Sequence, residues 1–335
     1  VESCRPVPDD EKEARVLGFL DQRGCDRHRC LSDERPVRHI GVVRAFPRTR
    51  SVRILGMEDG SQETRGFILG KFMPPHKGHR LLCRFAEQFC DELTIMVCSL
   101  RDDPIPGVTR HAWMKGLFPD SDVIHLTEDM PQEPKDHPDF WRIWRETVVR
   151  CEPRKIDFVF ASESYGERLA EELGARFVPF DLDREMMPIS GTDIRENPIK
   201  HWDMLPGCTH GYFAKRVCMF GPESTGKSTL TRILAEKFKT VYAWEHARAL
   251  LDPNGGACEE SDIPLIARAQ LSLEAAMLGS VNRVLFCDTN LLMTVIWSEV
   301  LFGSCPDWIR AAAAHQHYDL TLLLDVDVPW VDDDQ

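Results

Sequence analysis

From Gly66 onward, apolar positions fall into short runs separated by helical spacing. Gly66 to Leu69 is one such run and predicts a buried strand. Leu81, Leu82, Phe85, Ala86 and Phe89 then recur three and four apart, so the loop running through His79 is expected to feed an amphipathic helix. Leu93 to Cys98 predicts a second strand and Ile156 to Ala161 a third. A helix is expected near Glu167 to Leu173 and a strand at Arg176 to Pro179. Strand and helix alternate, the pattern of a parallel sheet with crossover helices. Residues His201 to Tyr212 hold Pro206 and two glycines without a clear period and are expected to be a linker. A second alternation opens at Arg216, with a strand to Phe220, a glycine loop and a helix from Lys227 to Phe238. Further strands are expected at Val241 to Trp244, Val284 to Cys287 and Leu320 to Asp325, with a helix over Ile263 to Leu278.

The expected fold class is therefore α/β in two domains, at residues 65–203 and 215–335, joined by a linker at 204–214. Residues 1–64 read as an N-terminal extension. Val16, Leu17, Phe19 and Leu20 suggest a short helix there, and Val37 to Phe46 and Val52 to Leu55 short strands. No phosphate loop or catalytic cluster stands in that segment.

A length of 335 residues fits two domains rather than one. The formal net charge of −13 excludes the broad basic surface of a non-specific nucleic-acid binder, so no nucleic-acid partner is expected. The longest apolar stretches, Leu93 to Leu100 and Leu320 to Leu324, are too short to span a bilayer, and no charged-then-apolar leader opens the chain. The twelve cysteines are scattered without a Cys-x-x-Cys pair, as in reduced cytosolic thiols. Cys25, His28 and Cys30 lack the fourth ligand of a tetrahedral metal site. A cytoplasmic protein without a membrane partner is expected; a homo-oligomer is left open.

Two loops carry chemistry. The first reads Gly70-Lys71-Phe72-Met73-Pro74-Pro75-His76-Lys77-Gly78-His79, after a strand and at the start of a helix. Free amides and the helix dipole favour anions there, and imidazoles can donate to a polyphosphate. Gly78 allows close approach of backbone and ligand. With its His-x-Gly-His core, this loop resembles that of the nucleotidyltransferase superfamily. Ile189-Ser190-Gly191-Thr192-Asp193-Ile194-Arg195 resembles that family's second element. The resemblance implies a Rossmann-like nucleotidyltransferase domain in which Gly70, Lys71, Phe72, Gly78, Ser190 and Thr192 bind ATP. His76, His79 and Arg195 would be catalytic, with His79 stabilising the transition state and Thr192 and Arg195 gripping pyrophosphate.

The second loop, Gly221-Pro222-Glu223-Ser224-Thr225-Gly226-Lys227-Ser228-Thr229, fits Gly-x4-Gly-Lys-Ser/Thr between a strand and a helix. Backbone amides from Gly221 through Thr229 would cradle phosphates, Lys227 would reach the β- and γ-phosphates, and Ser228 would ligate Mg²⁺. Asp288 ends an apolar strand and is a candidate to hold Mg²⁺ or to act on an acceptor hydroxyl; the plain alternative is a turn-capping acid. Glu245 and Arg248 follow a strand and read either as acceptor-site groups or as a surface ion pair.

Together the two loops resemble the bifunctional NadR-type proteins, which pair nicotinamide-nucleotide adenylyltransferase with ribosylnicotinamide kinase. The likeness extends to Arg101-Asp102-Asp103-Pro104-Ile105, Pro131-Gln132-Glu133-Pro134, His137-Pro138-Asp139-Phe140-Trp141, Phe160-Ala161-Ser162-Glu163 and Asp325-Val326-Asp327-Val328-Pro329-Trp330. It implies ATP and Mg²⁺, with nicotinamide mononucleotide and ribosylnicotinamide as the other small-molecule substrates. Trp141 reads either as a platform for a pyridinium ring or as a core aromatic beside Phe140 and Trp144, and Trp330 shares that ambiguity. Residues 1–65 do not show the three helical periods of that family's DNA-binding members, so repressor activity is not expected. The acidic cluster Asp332-Asp333-Asp334 stands where the family continues, so the kinase domain is expected to be truncated before its basic lid. An NAD-sensing regulator, and a fragment with only the adenylyltransferase active, are the alternative readings.

Overall fold

In the computed structural model, residues 63–326 are described. The helix and strands expected before residue 62, Trp330 and the terminal acidic cluster lie outside them. β1 (Arg65–Gly70) runs parallel to β2 (Glu92–Cys98) on one side and β4 (Phe158–Ala161) on the other. β3 (Asp122–Leu126) and β5 (Arg176–Pro179) complete a five-stranded parallel sheet in the order β3-β2-β1-β4-β5. Successive side chains of a strand point to opposite faces. Accordingly Phe67 and Met96 sink into one apolar cluster with Trp144, Val148 and Leu169, while Ile68, Ile95 and Val97 sink into another with Leu82, Ala86 and Met114. α1 (Lys77–Phe89) and α2 (Gly107–Leu117) cover the second face; α3 (Phe140–Cys151) and α4 (Tyr165–Leu173) cover the first. Each fully buried Ile or Phe in these layers contributes about 1.5–3 kcal/mol of transfer free energy.

The second sheet is also parallel. It runs β7-β8-β6-β9, with β6 (Lys215–Phe220), β7 (Tyr242–Ala243), β8 (Val284–Cys287) and β9 (Leu320–Leu323). Its helices are α7 (Lys227–Lys237), α8 (His246–Leu251), α9 (Ile263–Met277), α10 (Leu291–Phe302) and α11 (Asp307–His315).

Between the sheets lie α5 (Gly191–Glu196), a 3-10 turn at Trp202–Met204 and α6 (Gly207–Phe213). The part at His201 to Tyr212, expected to be a linker without a clear period, forms the 3-10 turn and the short helix α6 and is packed. Trp202, Leu205 and Ile194 are buried in one apolar cluster with Ala243, Leu285 and Cys287 of the second sheet. The core therefore continues from α5 into β8. On the other side of the connection, Tyr212 meets Trp113 of α2 edge to face at 5.3 Å between ring centroids.

The expected strands recur within a residue or two. α2, β3 and α3 have no counterpart among the expected elements, nor do α10 and α11. The reason is local. α2 buries Arg110 completely, so its inward face is not read as apolar, and β3 is a half-covered edge. α10 is apolar nearly all round, which erases the helical period. Nine cysteines fall among the described residues, and all are free thiols. Among the described residues no helix is long and apolar enough to cross a membrane.

Candidate active sites

Two cavities open where parallel strands end. The first, of about 650 Å³, sits at the carboxyl ends of β1, β2 and β4, flanked by α1 and α5. β1 lies in the middle of its sheet, where the strand order reverses, and open parallel sheets present their ligand crevice at that point. All ten residues that the sequence assigns to this site line it: Gly70, Lys71, Phe72, His76, Gly78, His79, Trp141, Ser190, Thr192 and Arg195.

α1 begins at Lys77, earlier than the apolar period suggests, because His76 caps it. The His76 Nδ1 accepts from the Gly78 amide at 3.2 Å. That bond places the proton of a neutral His76 on Nε2, where it is a donor. The rings of His76 and His79 lie 3.8 Å apart between centroids, and Phe72 meets His79 edge-on at 5.0 Å. Burial, and then the Arg184 charge, depress the pKa of His76 to about 4. Burial, His76 and Arg184 hold His79 well below its ordinary value. Both are therefore neutral at physiological pH. The Nδ1 of His79 is buried without a hydrogen-bond partner. Buried polar atoms are nearly always paired, so an orphan in a cavity marks a place for ligand.

α5 closes the opposite wall. Ser190 and Asp193 form a capping box: the Ser190 Oγ accepts from the Asp193 amide at 3.1 Å, and the Asp193 carboxylate accepts from the Ser190 amide at 2.9 Å. The Ser190 hydroxyl also donates to that carboxylate, so its first role here is to set the helix start. Arg195 donates to the Met73 carbonyl and, at 3.0 Å, to the Thr192 Oγ1. A Cβ on Gly191 would stand 2.7 Å from the Met73 carbonyl oxygen, so only glycine lets α5 approach the histidine loop this closely. Trp141 is half-buried; it lines the cavity together with Phe140 and Trp144, the two buried core aromatics it packs against.

The second cavity, of about 560 Å³, lies at the end of β6. Gly221, Glu223, Ser224, Gly226, Lys227, Ser228, Thr229, Glu245 and Arg248 line it. Gly226, at φ +81°, caps α7, and Ser224 also takes a left-handed backbone at +57°. These turns aim successive amides into one concavity, an anion nest. The Lys227 Nζ donates to the Pro222 carbonyl at 2.7 Å, folded over the loop it would leave for a phosphate. Thr225 lies apart from the lining: its side chain is buried and donates to the Pro222 carbonyl at 2.8 Å as an inner brace. Asp288 sits beneath the loop at the end of β8, one oxygen buried without a partner, hydrogen-bonded to Ser228. Burial raises its pKa against the pull of Ser228 and Lys227. Burial and then Asp288 raise that of Glu245.

Residues 216–335 match the AAA domain family. The trifunctional NAD biosynthesis/regulator protein NadR of Escherichia coli (strain K12) is 30% identical over 304 residues, which cover 84% of this chain and 74% of that protein. The chain belongs to the NadR family. The NadR of Salmonella typhimurium is likewise 30% identical, over 302 residues covering 84% of this chain and 74% of that protein. Two NadR crystal structures share the fold. One, in complex with NAD and AMP-PNP, superposes with a TM-score of 0.64 at 22% identity and covers 78% of this chain and 81% of its own. The other, in complex with NR, gives a TM-score of 0.67 at 21% identity over 78% and 79%.

The cavities also hold groups that the sequence reading passed over. Arg184 lines the first one, paired to Glu163 at 3.0 Å, and its charge reaches both histidines. It precedes Ser190 by six residues without a motif of its own, so its only signal is a cation near a phosphate-type loop. Tyr165 donates to the Leu69 carbonyl at 2.7 Å and fixes the end of β1. In the second cavity, Gln270 of α9 and Trp297 of α10 stand opposite the glycine loop, on helices far away in sequence.

Proposed function

We propose that this chain is a bifunctional enzyme of NAD synthesis. In this reading residues 65–203 transfer an adenylyl group from ATP to nicotinamide mononucleotide, giving NAD and pyrophosphate. Residues 215–335 phosphorylate ribosylnicotinamide with ATP, and residues 204–214 connect the two. The observation that carries the reading is the pair of separate cavities at the carboxyl ends of two parallel sheets, each lined by most of the residues that its own chemistry needs, with Asp288 buried outside the lining of the second.

In the first cavity the mononucleotide phosphate attacks the α-phosphate of ATP in line. No covalent intermediate is required, so catalysis is positioning and charge neutralisation. His76 and His79 donate neutral hydrogen bonds to the phosphates, and Thr192 and Arg195 hold the departing pyrophosphate. Arg184 adds positive charge beside them. The indole of Trp141 stacks on the cationic pyridinium ring. In the second cavity the loop amides and Lys227 hold the β- and γ-phosphates, and Glu245 and Arg248 meet the acceptor nucleoside. Ser228 and Asp288 suit a divalent cation: a hydroxyl and a carboxylate are adjacent, with one carboxylate oxygen buried and orphaned. Mg²⁺ held there would neutralise charge on the transferring phosphoryl group. Among the described residues no group of three or more His, Cys, Asp or Glu could hold a metal, so a cation in the first cavity would arrive with the nucleotide.

The test is to incubate the protein with ATP, Mg²⁺ and nicotinamide mononucleotide, and separately with ribosylnicotinamide. Equimolar NAD and pyrophosphate are expected from the first mixture; the second is expected to give ADP and mononucleotide, with the mononucleotide carried on to NAD and pyrophosphate by the other half. A folded protein that binds ATP and forms neither would overturn the reading.

A further inference from the structure

Arg110 is the largest side chain in the described structure that is wholly buried, and it lies outside every motif discussed so far. Its guanidinium donates to three carbonyls: those of Ile105 at 2.9 Å, Cys98 at 2.8 Å and Lys71. Nη2 donates to the Asp103 Oδ2 at 2.5 Å. A buried charge is tolerable only when paired and fully hydrogen-bonded, and here four acceptors meet that need. The acceptors come from three places: the loop after β1, the end of β2 and the turn before α2. One cation thus gathers the strand ends that form the floor of the first cavity.

Asp103 has a second oxygen. Its Oδ2 also accepts from the Leu100 amide at 2.9 Å, while Oδ1 stands 3.6 Å from the Lys71 Nζ. The Asp103 side chain is 6% exposed and that of Lys71 is 40% exposed. So one buried carboxylate is shared by a wholly buried cation, Arg110, and a more exposed one, Lys71, a residue that lines the cavity.

We propose that Asp103, anchored by Arg110, is a positioning residue for the first cavity, aiming the Lys71 ammonium at an incoming polyphosphate. Because Arg110 continues to neutralise Asp103, Lys71 leaves the pair for a phosphate oxygen without stranding a buried charge. Binding then exchanges one ion pair for another. This rests on the adenylyltransferase reading of the cavity.

The experiment is a double-mutant cycle on the full chain, with NAD formation measured as ATP is varied. Asp103→Asn keeps the shape of the side chain and removes the charge that holds Lys71; Lys71→Met removes the ammonium. Each alone is expected to raise the KM for ATP about tenfold with kcat nearly unchanged, the size of a lost hydrogen bond to a charged group. The double variant is expected to be no worse than Lys71→Met alone, because Asp103 acts through Lys71. Ribosylnicotinamide phosphorylation by the same variants should stay within about twofold of the parent, and a thermal melt of each variant should show the first half folded at the assay temperature although Asp103→Asn weakens the pairing of Arg110. Additive effects in the double variant, or a fall in kcat with KM unmoved, would overturn the proposal. Absence of NAD from the unaltered chain would remove the reading beneath it, a result separate from the outcome of the cycle.

Discussion

The two cavities are of similar size and both suit a nucleotide, yet they are built by opposite means. The first relies on neutral, buried imidazoles and on side chains drawn from α1, α5 and the strand ends. The second relies on one continuous loop whose backbone supplies the donors, with a lysine, the buried Asp288 and the half-buried Glu245 around it. The first depends on long-range packing to bring its two walls together; the second is nearly complete within nine residues. The contrast teaches that a distributed site is sensitive to packing at its seams, whereas a loop site is sensitive to its few charges.

The largest expected effect separates the two. Lys227→Ala should lower ribosylnicotinamide phosphorylation by about 10³-fold and leave adenylyl transfer within about twofold, by direct assay of ADP and NAD. His79→Ala should do the converse, lowering NAD formation by about 10²-fold. If either substitution silences both reactions, the cavities are not separate catalysts.

Next comes pH. Asp288 and Glu245 carry pKa values raised by burial, so each protonates at a higher pH than an exposed carboxylate. If Asp288 serves a cation as proposed, it must be ionised, and the phosphorylation rate should fall, about tenfold per unit, on an acid limb above the usual carboxylate range of ~4. His76 stays neutral down to about 4, so adenylyl transfer should remain level where the kinase step is already failing. Stability has a defined sign as well. The unfolded imidazole takes a proton below its ordinary value of 6.5 while the folded one resists until about 4, so this contribution is complete above 6.5 and lost as pH falls between those values. Denaturant titrations at pH 7 and pH 5 should show the loss, and His76→Gln should flatten it.

A smaller effect is expected at the seam between α5 and the histidine loop. Gly191→Ala forces a Cβ against the Met73 carbonyl and should cost about 1–3 kcal/mol of stability, read from Tm, with a raised KM for ATP in NAD formation only. The smallest is at Trp141. Its replacement by Ala should raise the KM for the mononucleotide several-fold, consistent with about 0.5–2 kcal/mol of cation–π attraction, and leave the KM for ATP unchanged.

Sequence patterns read these two sites unequally well, for the same reason that they are built differently. The loop from Gly221 to Thr229 is contiguous and lies where a strand-loop-helix pattern puts it. His76 and Ser190 are over a hundred residues apart, and only the resemblance to a known family linked them; the structure supplies the contact between Arg195 and Met73 that joins their walls. Arg184 and Arg110 escaped because a lone arginine carries no period and no motif. Arg110 also hid α2, since a buried cation on the inward face reads as polar. The segment at 201–212 showed no period because it is split between a three-residue 3-10 turn and a seven-residue helix, each too short for a helical repeat to register.

That same segment limits how the molecule could be recombined. Ile189 and Ile194 flank Ser190 and Thr192 of the first cavity, yet they sit in an apolar cluster with Leu285 and Cys287, on the strand that leads to Asp288 beside the second. A chimaera that exchanged either half for its counterpart from a relative would inherit a mismatched seam beneath both catalytic centres. Mutations that reshape β8 would therefore be filtered twice, once for their effect on the second cavity and once for the helix α5 that they support beside the first.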